Sequence, residues 1–417
     1  MAPLFADETY YYIWSLFPKL SYYDHPGMVG WLIFLGRSLF SFHNPLSVRL
    51  FFVVLGTASL FIWLLILEKK KIPQDVWIYF FALYNLNPLL GIGSIVATPD
   101  VPLVFFWSLA YLCFLNVFDS KKLIWYFLLG CSLGLGFCSK YHIVLFILCG
   151  LLATFINLNY RSLRVKGIFL SLAGGLLFSL PVLIWNYQND WVSFAYQLKH
   201  GFGRTYYNFE WSTSYLMGQF LIVSPFLFIQ LFSFKKRTPD QTFAVSQLLF
   251  FFTSTFKSVV EANWTIAAQP HAIVHFMETL SIKKIKWTFA YWTVTYAALL
   301  LILFTPMGHS IHQPQLNTND IAVLVPLAEQ YQPLYGPNYQ ISSLLSWQAG
   351  KLVPKLVGFS RKDFFNDIDD SIPKFNSTFY VLKETAVGWP DYLVTSQIKK
   401  IKSIESLELE LYQVTYE

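Results

Sequence analysis

Ten apolar runs, most of them about as long as a bilayer is thick, dominate this 417-residue chain and leave few folds open to it. They fall at about 45–67, 76–95, 101–118, 122–138, 142–158, 167–186, 213–234, 241–259, 265–281 and 287–306. A helix needs ~20 mainly apolar residues to cross a membrane, with ~17 as a practical lower limit. Composition agrees with this: 55% of the residues are apolar and only 13% are charged, against ~25% in soluble domains. A disordered chain, a coiled coil and an ordinary water-soluble enzyme are excluded. The expected fold is an α-helical polytopic membrane protein.

Basic clusters set the orientation of such a chain. Lys69–Lys71 follow the first run, Lys121 and Lys122 the third, Arg161, Arg164 and Lys166 the fifth, Lys235–Arg237 the seventh, and Lys283, Lys284 and Lys286 the ninth. Every second loop is therefore basic and expected on the cytoplasmic side, as a plain anchor. The other connections and both ends of the chain are expected outside. The segment 28–43 is apolar but short and carries Arg37; spanning would invert every later loop, so it reads as an amphipathic helix at the outer interface. A chain that starts outside with no apolar leader suggests that a first span is missing.

Charge is unevenly distributed. Residues 307–417 hold 21 of the 54 charged residues, 9 basic and 12 acidic. The reading is therefore a membrane domain at 1–306 and a small α/β domain outside the membrane at 307–417. The net charge of +6 lies in short clusters between apolar runs and gives no nucleic-acid signature. Cys113, Cys131, Cys138 and Cys149 lie in or beside apolar runs without pairing or metal-ligand spacing, as small core residues do.

The unusual chemistry sits in the loops expected outside, which points to a polar cavity there. Asp7-Glu8 precedes an aromatic run. One carboxylate would suit a general base and the other a cation or partner, or the pair would cap the helix that follows. Asp100, between Pro99 and Pro102, is either a second carboxylate in the cavity or a helix start. Lys140 breaks the positive-inside pattern; it fits a phosphate, or snorkels to headgroups. The glycine-containing loop 197–207 adds Lys199, His200 and Arg204, whose guanidinium suits phosphate oxygens or a lipid headgroup. Glu261, Asn263 and Trp264 offer an amide and a ring to a sugar, or an interfacial anchor. His25 reads as a metal ligand, a phosphate contact or a turn residue before Pro26. No zinc cluster, Walker loop, dinucleotide fingerprint or nucleophile elbow occurs.

Taken in order, Asp7-Glu8 with its aromatic followers, Tyr22-Tyr23-Asp24-His25-Pro26, Thr98-Pro99-Asp100-Val101-Pro102-Leu103, Gly134-Leu135-Gly136 leading to Ser139-Lys140-Tyr141, Glu261-Ala262-Asn263-Trp264 and Tyr339-Gln340-Ile341-Ser342-Ser343-Leu344-Leu345 resemble one family over about residues 3–365. It is the polyprenyl-phosphate-sugar glycosyltransferases of the C-type membrane fold, within the dolichyl-phosphate-mannose protein mannosyltransferase and lipid A aminoarabinose transferase superfamily. The resemblance implies an inverting transferase of the bacterial inner membrane. It would move a hexose or pentose from a polyprenyl phosphate to lipid A, a glycan or a protein at the outer face. Asp7 would be the base or orient the acceptor, supported by Glu8 and Asp100, which are also the candidate ligands of a divalent cation. No other cofactor is implied. Lys140, Arg204 and His25 would hold the donor phosphate; Tyr22, Asp24, Glu261, Asn263 and Trp264 would face acceptor or sugar. Two departures stand out: the family's first span is absent, and Gln269-Pro270-His271 replaces an apolar stretch with tyrosine. The latter implies altered acceptor binding or a decayed, non-catalytic member. Hydrolysis by Asp7 and Asp100 is a further option. A flippase for a lipid-linked glycan would show polar residues throughout its spans and internal repeats; a receptor-like protein would tolerate loss of the loop charges.

Overall fold

The computed structural model describes residues 2–40, 43–120, 122–158, 162–233, 237–279, 282–303, 316–368 and 371–416. Lys121, Arg161, Lys235, Lys236 and the expected domain junction near 306 lie outside them. The chain forms two compact units, one of residues 1–19, 30–50 and 312–417, the other of residues 20–29 and 51–311.

The helices are α1 (Ala6–Leu16), α2 (Met28–Leu39), α3 (Pro45–Lys69), α4 (Trp77–Leu86), α5 (Asp100–Ser120), α6 (Leu123–Ser139), α7 (Leu145–Ile156), α8 (Val165–Gln188), α9 (Val192–Phe202), α10 (Phe209–Val223), α11 (Pro225–Leu231), α12 (Pro239–Ser254), α13 (Ala268–Thr279), α14 (Ile282–Leu303), α15 (Val325–Gln330) and α16 (Tyr339–Ala349). Among the described residues, four helices are long and apolar enough to cross a membrane: Pro45–Lys69, Asp100–Ser120, Val165–Gln188 and Lys283–Ile302. The pair α10 and α11, bent by 106°, makes a fifth if counted as one span. That bend has a local cause: Pro225 disfavours a helical residue before it, and Ser224 sits at φ 73° with its hydroxyl accepting from the Leu227 N–H. The other apolar runs form shorter helices. The run at 76–95 stops after Leu86 because Pro88 follows and the Asn87 side chain accepts from the backbone of Leu89 and Leu90, closing a turn in place of a helix. The run 142–158 opens with a 3-10 turn, Tyr141–Val144, before α7.

In the second unit, α6 lies against α5 and α8. Small residues allow the close approach to α8. A methyl group on Gly130 would stand 2.0 Å from the Ser171 carbonyl, and one on Gly134 2.6 Å from that of Gly175. Such stripes bring helix backbones together where lipid gives no hydrophobic drive between helices. A groove of about 450 Å³ opens among α5, α6, α7 and α8, lined by Gly134, Phe137, Ile143, Val144, Leu176 and others. The four cysteines are buried and free.

The first unit contains the expected small sheet. Strands β1 (Leu334–Tyr335), β2 (Ser377–Glu384), β3 (Gln397–Ile404) and β4 (Leu409–Tyr416) lie in the order β1-β2-β4-β3. β1 runs parallel to β2; the other pairs are antiparallel. Leu382, Leu409 and Leu411 pack with Leu324, Leu344 and Leu345, while Phe379, Val381 and Val414 pack with Leu356 and Leu393. β3 is an exposed edge carrying Lys399, Lys400 and Lys402, a pattern that blocks edge-to-edge pairing. The sheet unit also takes in α1. Ala6 belongs to the cluster with Leu324 and Leu345, its N–H donates to the Leu316 carbonyl at 3.1 Å, and the hydroxyls of Thr9 and Ser343 meet at 3.0 Å. α2 is 12 residues long, too short to span. Its Arg37 donates to the Ser15 carbonyl at 3.0 Å and lies 4.9 Å from the Tyr12 ring centre, which gives the charge a local home.

Candidate active site

The two members of the acid pair part company in the first unit. Glu8 is fully buried. Its Oε1 accepts from Arg49 Nε at 2.7 Å and its Oε2 from Arg49 Nη2 at 2.5 Å, a two-pronged fork. The same Oε2 accepts from the Phe5 N–H at 3.0 Å, so Glu8 also caps α1. Arg49 further donates to the carbonyls of Ala2 and Pro3. Of the two uses open to the acid pair, the helix-capping one is what Glu8 performs. Removing it leaves the guanidinium without its counter-charge. Glu8→Ala is therefore expected to cost roughly 3–5 kcal/mol, the range for a broken buried pair, and to lower the unfolding temperature measured in detergent. An unchanged unfolding temperature would show that the fork contributes nothing. Asp7, one residue earlier and a helical quarter-turn away, is exposed, and Tyr339 Oη donates to its Oδ1 at 3.3 Å. Tyr339 lies 4.5 Å from the Tyr10 ring and 5.2 Å from the Arg361 guanidinium.

In the second unit, Asp100, Lys140 and Asn263 converge. Lys140 is the extended residue after α6, with φ −156° and ψ 137°. Its Nζ donates to Asp100 Oδ1 at 2.7 Å, and Asn263 Nδ2 donates to Asp100 Oδ2 at 2.7 Å. The Asp100 and Lys140 side chains are each only 8% exposed. Lys140 thus does not snorkel, and both Asp100 oxygens go to side chains. A cation on Asp100 would have to displace Lys140, and one on Glu8 would have to displace Arg49. Among the described residues no group of three or more His, Cys, Asp or Glu could hold a metal.

Trp264 lies beside this pair in sequence and gathers histidines around it. Its ring centre is 5.5 Å from His142 and 5.5 Å from His200, and its Nε1 donates to Glu261 Oε2 at 3.2 Å. Tyr22 is fully buried; its N–H donates to the His25 carbonyl at 3.2 Å, closing the turn, so its ring offers no surface to an acceptor. Asp24 is buried and its carbonyl accepts from Gln197 at 2.5 Å. Arg204 stands apart from the Lys140 group: it is exposed, 4.8 Å from the Trp211 ring, and its Nη1 donates to Tyr206 Oη at 3.3 Å.

The loop charges expected to be plain anchors include a buried network. Lys70 Nζ lies 2.7 Å from Asp240 Oδ2 and 2.7 Å from Glu278 Oε1. Burial opposes the Lys70 charge, but the two carboxylates outweigh it and hold the ammonium above the ordinary lysine value. Asp240 also accepts from Tyr111 Oη at 2.8 Å and pairs with His271 Nδ1 at 2.8 Å. The indole Nε1 of Trp107 can only donate, and it lies 2.9 Å from His271 Nε2. Nε2 must therefore be the acceptor and Nδ1 the protonated nitrogen. His271, read from the sequence as a departure from the pattern the chain resembles, has a structural place here. Lys69 likewise pairs with Asp119 at 2.5 Å.

The chain resembles known proteins in sequence and in fold. Residues 24–185 match the family model of dolichyl-phosphate-mannose-protein mannosyltransferases. Over 226 residues the chain is 25% identical to lipid A galacturonosyltransferase RgtD of Rhizobium johnstonii (strain DSM 114642 / LMG 32736 / 3841), covering 54% of this chain and 47% of that protein. The chain thus spans about half the length of this relative. Its fold is that of ArnT from Cupriavidus metallidurans. With the structure bound to undecaprenyl phosphate the TM-score is 0.66 at 12% identity, covering 98% of this chain and 92% of that one. With the apo structure it is 0.67 at 13% identity, covering 99% and 94%. The resemblance read from the ordered motifs is borne out.

Proposed function

We propose that this chain is an inverting glycosyltransferase of the bacterial inner membrane. It takes a sugar from a polyprenyl-phosphate carrier and delivers it to lipid A, a glycan or a protein at the outer face. The observation that carries the reading is the buried Lys140 at the end of α6, whose chain neighbours Gly134, Phe137 and Ile143 line an apolar groove. A polyprenyl phosphate has the matching make-up, an apolar tail ending in an anion. The names of the relatives, a lipid A galacturonosyltransferase and an ArnT bound to undecaprenyl phosphate, support the same choice. The basic loops favour an extracytoplasmic site.

In this reading Lys140 holds the donor phosphate. As the sugar–oxygen bond breaks, the leaving phosphate gains negative charge, and a fixed cation in a water-poor site stabilises that charge best. Asp100, itself anchored by Asn263, is a positioning residue that aims the ammonium. Two of its three N–H groups remain for phosphate oxygens. Asp7 takes the proton from the acceptor hydroxyl as that oxygen attacks the anomeric carbon from the face opposite the phosphate, which inverts the centre. Glu8 and Arg49 fix the start of α1 and so the place of Asp7. Glu261, held by the Trp264 indole, contacts acceptor or sugar, Tyr22 and Asp24 are buried in the turn before Pro26, and Arg204 meets lipid headgroups or the acceptor. Mass spectrometry of lipid A, surface glycans and envelope proteins from cells with and without the protein tests this. One sugar-sized mass difference in one of these classes is expected, and identical spectra in all three would refute the transferase reading.

A further inference from the structure

His142 stands two residues beyond Lys140, in the 3-10 turn Tyr141–Val144. Its ring lies against Phe251 and Trp264, with centres 5.1 and 5.5 Å away. Its Nδ1 is closed off from solvent and has no hydrogen-bond partner among the described residues. A buried ring nitrogen in that state has lost its water and recovered nothing, and such groups are uncommon enough to need a reason. Its surroundings point to one. Lys140 stands two residues before it in the chain, and Trp264, whose ring packs on His142, packs at the same 5.5 Å on His200. The carboxylate of Asp100 accepts from Lys140 and Asn263 and makes no hydrogen bond to His142 Nδ1. What completes such a site is an anion that brings several acceptor oxygens of its own.

We propose that His142 is a phosphate contact: with its proton on Nδ1, it donates a hydrogen bond to a non-bridging oxygen of the same lipid phosphate that Lys140 holds. The proposal rests on the donor reading above and adds a residue to it. The two side chains do different work. The lysine ammonium is a point charge with freely rotating donors, whereas the imidazole N–H has one fixed direction set by the rings packed on it. Together they select both the charge and the orientation of the phosphate. Phosphate oxygens that gain charge as the sugar departs strengthen this bond, so His142 contributes to turnover as well as to binding.

Binding of polyprenyl phosphate and of the uncharged polyprenol to the full chain in detergent tests this, with His142→Ala, His142→Gln and the wild type compared. His142→Ala is expected to bind polyprenyl phosphate about tenfold or more weakly, as for a lost hydrogen bond to a charged group, and polyprenol unchanged. His142→Gln, whose amide can donate, is expected to recover part of the difference. A loss equal for both lipids would assign His142 to packing alone, and no loss for either would also overturn the contact. Displacement of the bound lipid phosphate by millimolar inorganic phosphate would reassign the contact to a free anion. A wild type that does not prefer polyprenyl phosphate to polyprenol would sink the donor reading itself. A wild type that prefers it, with His142→Ala keeping the full preference, would sink only the present proposal.

Discussion

Replacing Lys140 by alanine is expected to remove donor binding and to destabilise the protein at once, and the two effects can be separated. The pair with Asp100 is buried and 2.7 Å long. Deleting one partner of such a pair costs roughly 3–5 kcal/mol, because the other charge stays buried without its counter-ion. Asn263 keeps its hydrogen bond to Asp100, which lessens the penalty without cancelling the charge. The Lys140→Ala variant should therefore show a lower unfolding temperature and a KM for the lipid donor raised at least tenfold. The double variant Lys140→Met, Asp100→Leu removes both charges and fills similar volume. Buried pairs replaced in this way are often neutral or stabilising, so its unfolding temperature should return towards that of the wild type while donor binding stays lost. Recovery of donor binding together with stability would mean that the pair is only a structural clasp.

Replacing Asp7 by asparagine should have the opposite profile. Asp7 is exposed on α1, and its neighbour Glu8 carries the contacts that hold the helix in place. The asparagine is close in size and keeps an oxygen for Tyr339 Oη, so the unfolding temperature should stay within a degree or two, on the order of the small effects of surface substitutions. A general base contributes ~10²–10⁴-fold to rate, so kcat should fall by that order with donor KM little changed. Wild-type turnover in Asp7→Asn would take the base away from this residue. The contrast with Glu8→Ala, which should lose stability first, tells the two neighbouring acids apart.

Much of this arrangement was legible in the sequence, for a reason that also set its limit. A charged residue at the end of an apolar run is expensive unless it is paired, so Asp100 and Lys140 stood out by position. What one sequence cannot supply is distance. The meeting of Asp100 with Lys140, 40 residues away, and with Asn263, 163 residues away, appears only in three dimensions. Arg49 was hidden because it lies inside the mostly apolar run 45–67, where the charge reads as an interruption; its partner Glu8 supplies the pairing that an arginine in such a run requires. Lys70 reads as a topology marker by the same local logic, yet it is drawn into a buried network by Asp240 and Glu278. His142 gave no signal of its own next to Lys140, since an orphaned nitrogen is a property of packing. A small α/β domain was readable in the charged tail at 307–417, where β2, β3 and β4 lie, but the pairing of its strands was not. That α1 packs in the same unit as this sheet was not readable, because the pairing of Ala6 with Leu316 spans 310 residues.

The most direct test incubates the purified chain in detergent with a polyprenyl-phosphate-linked sugar and an envelope acceptor, and follows the free polyprenyl phosphate and the anomeric configuration of the product. Release of polyprenyl phosphate in step with glycosylated acceptor, with the anomeric centre inverted and the reaction lost in Lys140→Ala, is the predicted result. Retention of configuration, or transfer that proceeds equally well without Lys140, would contradict the account.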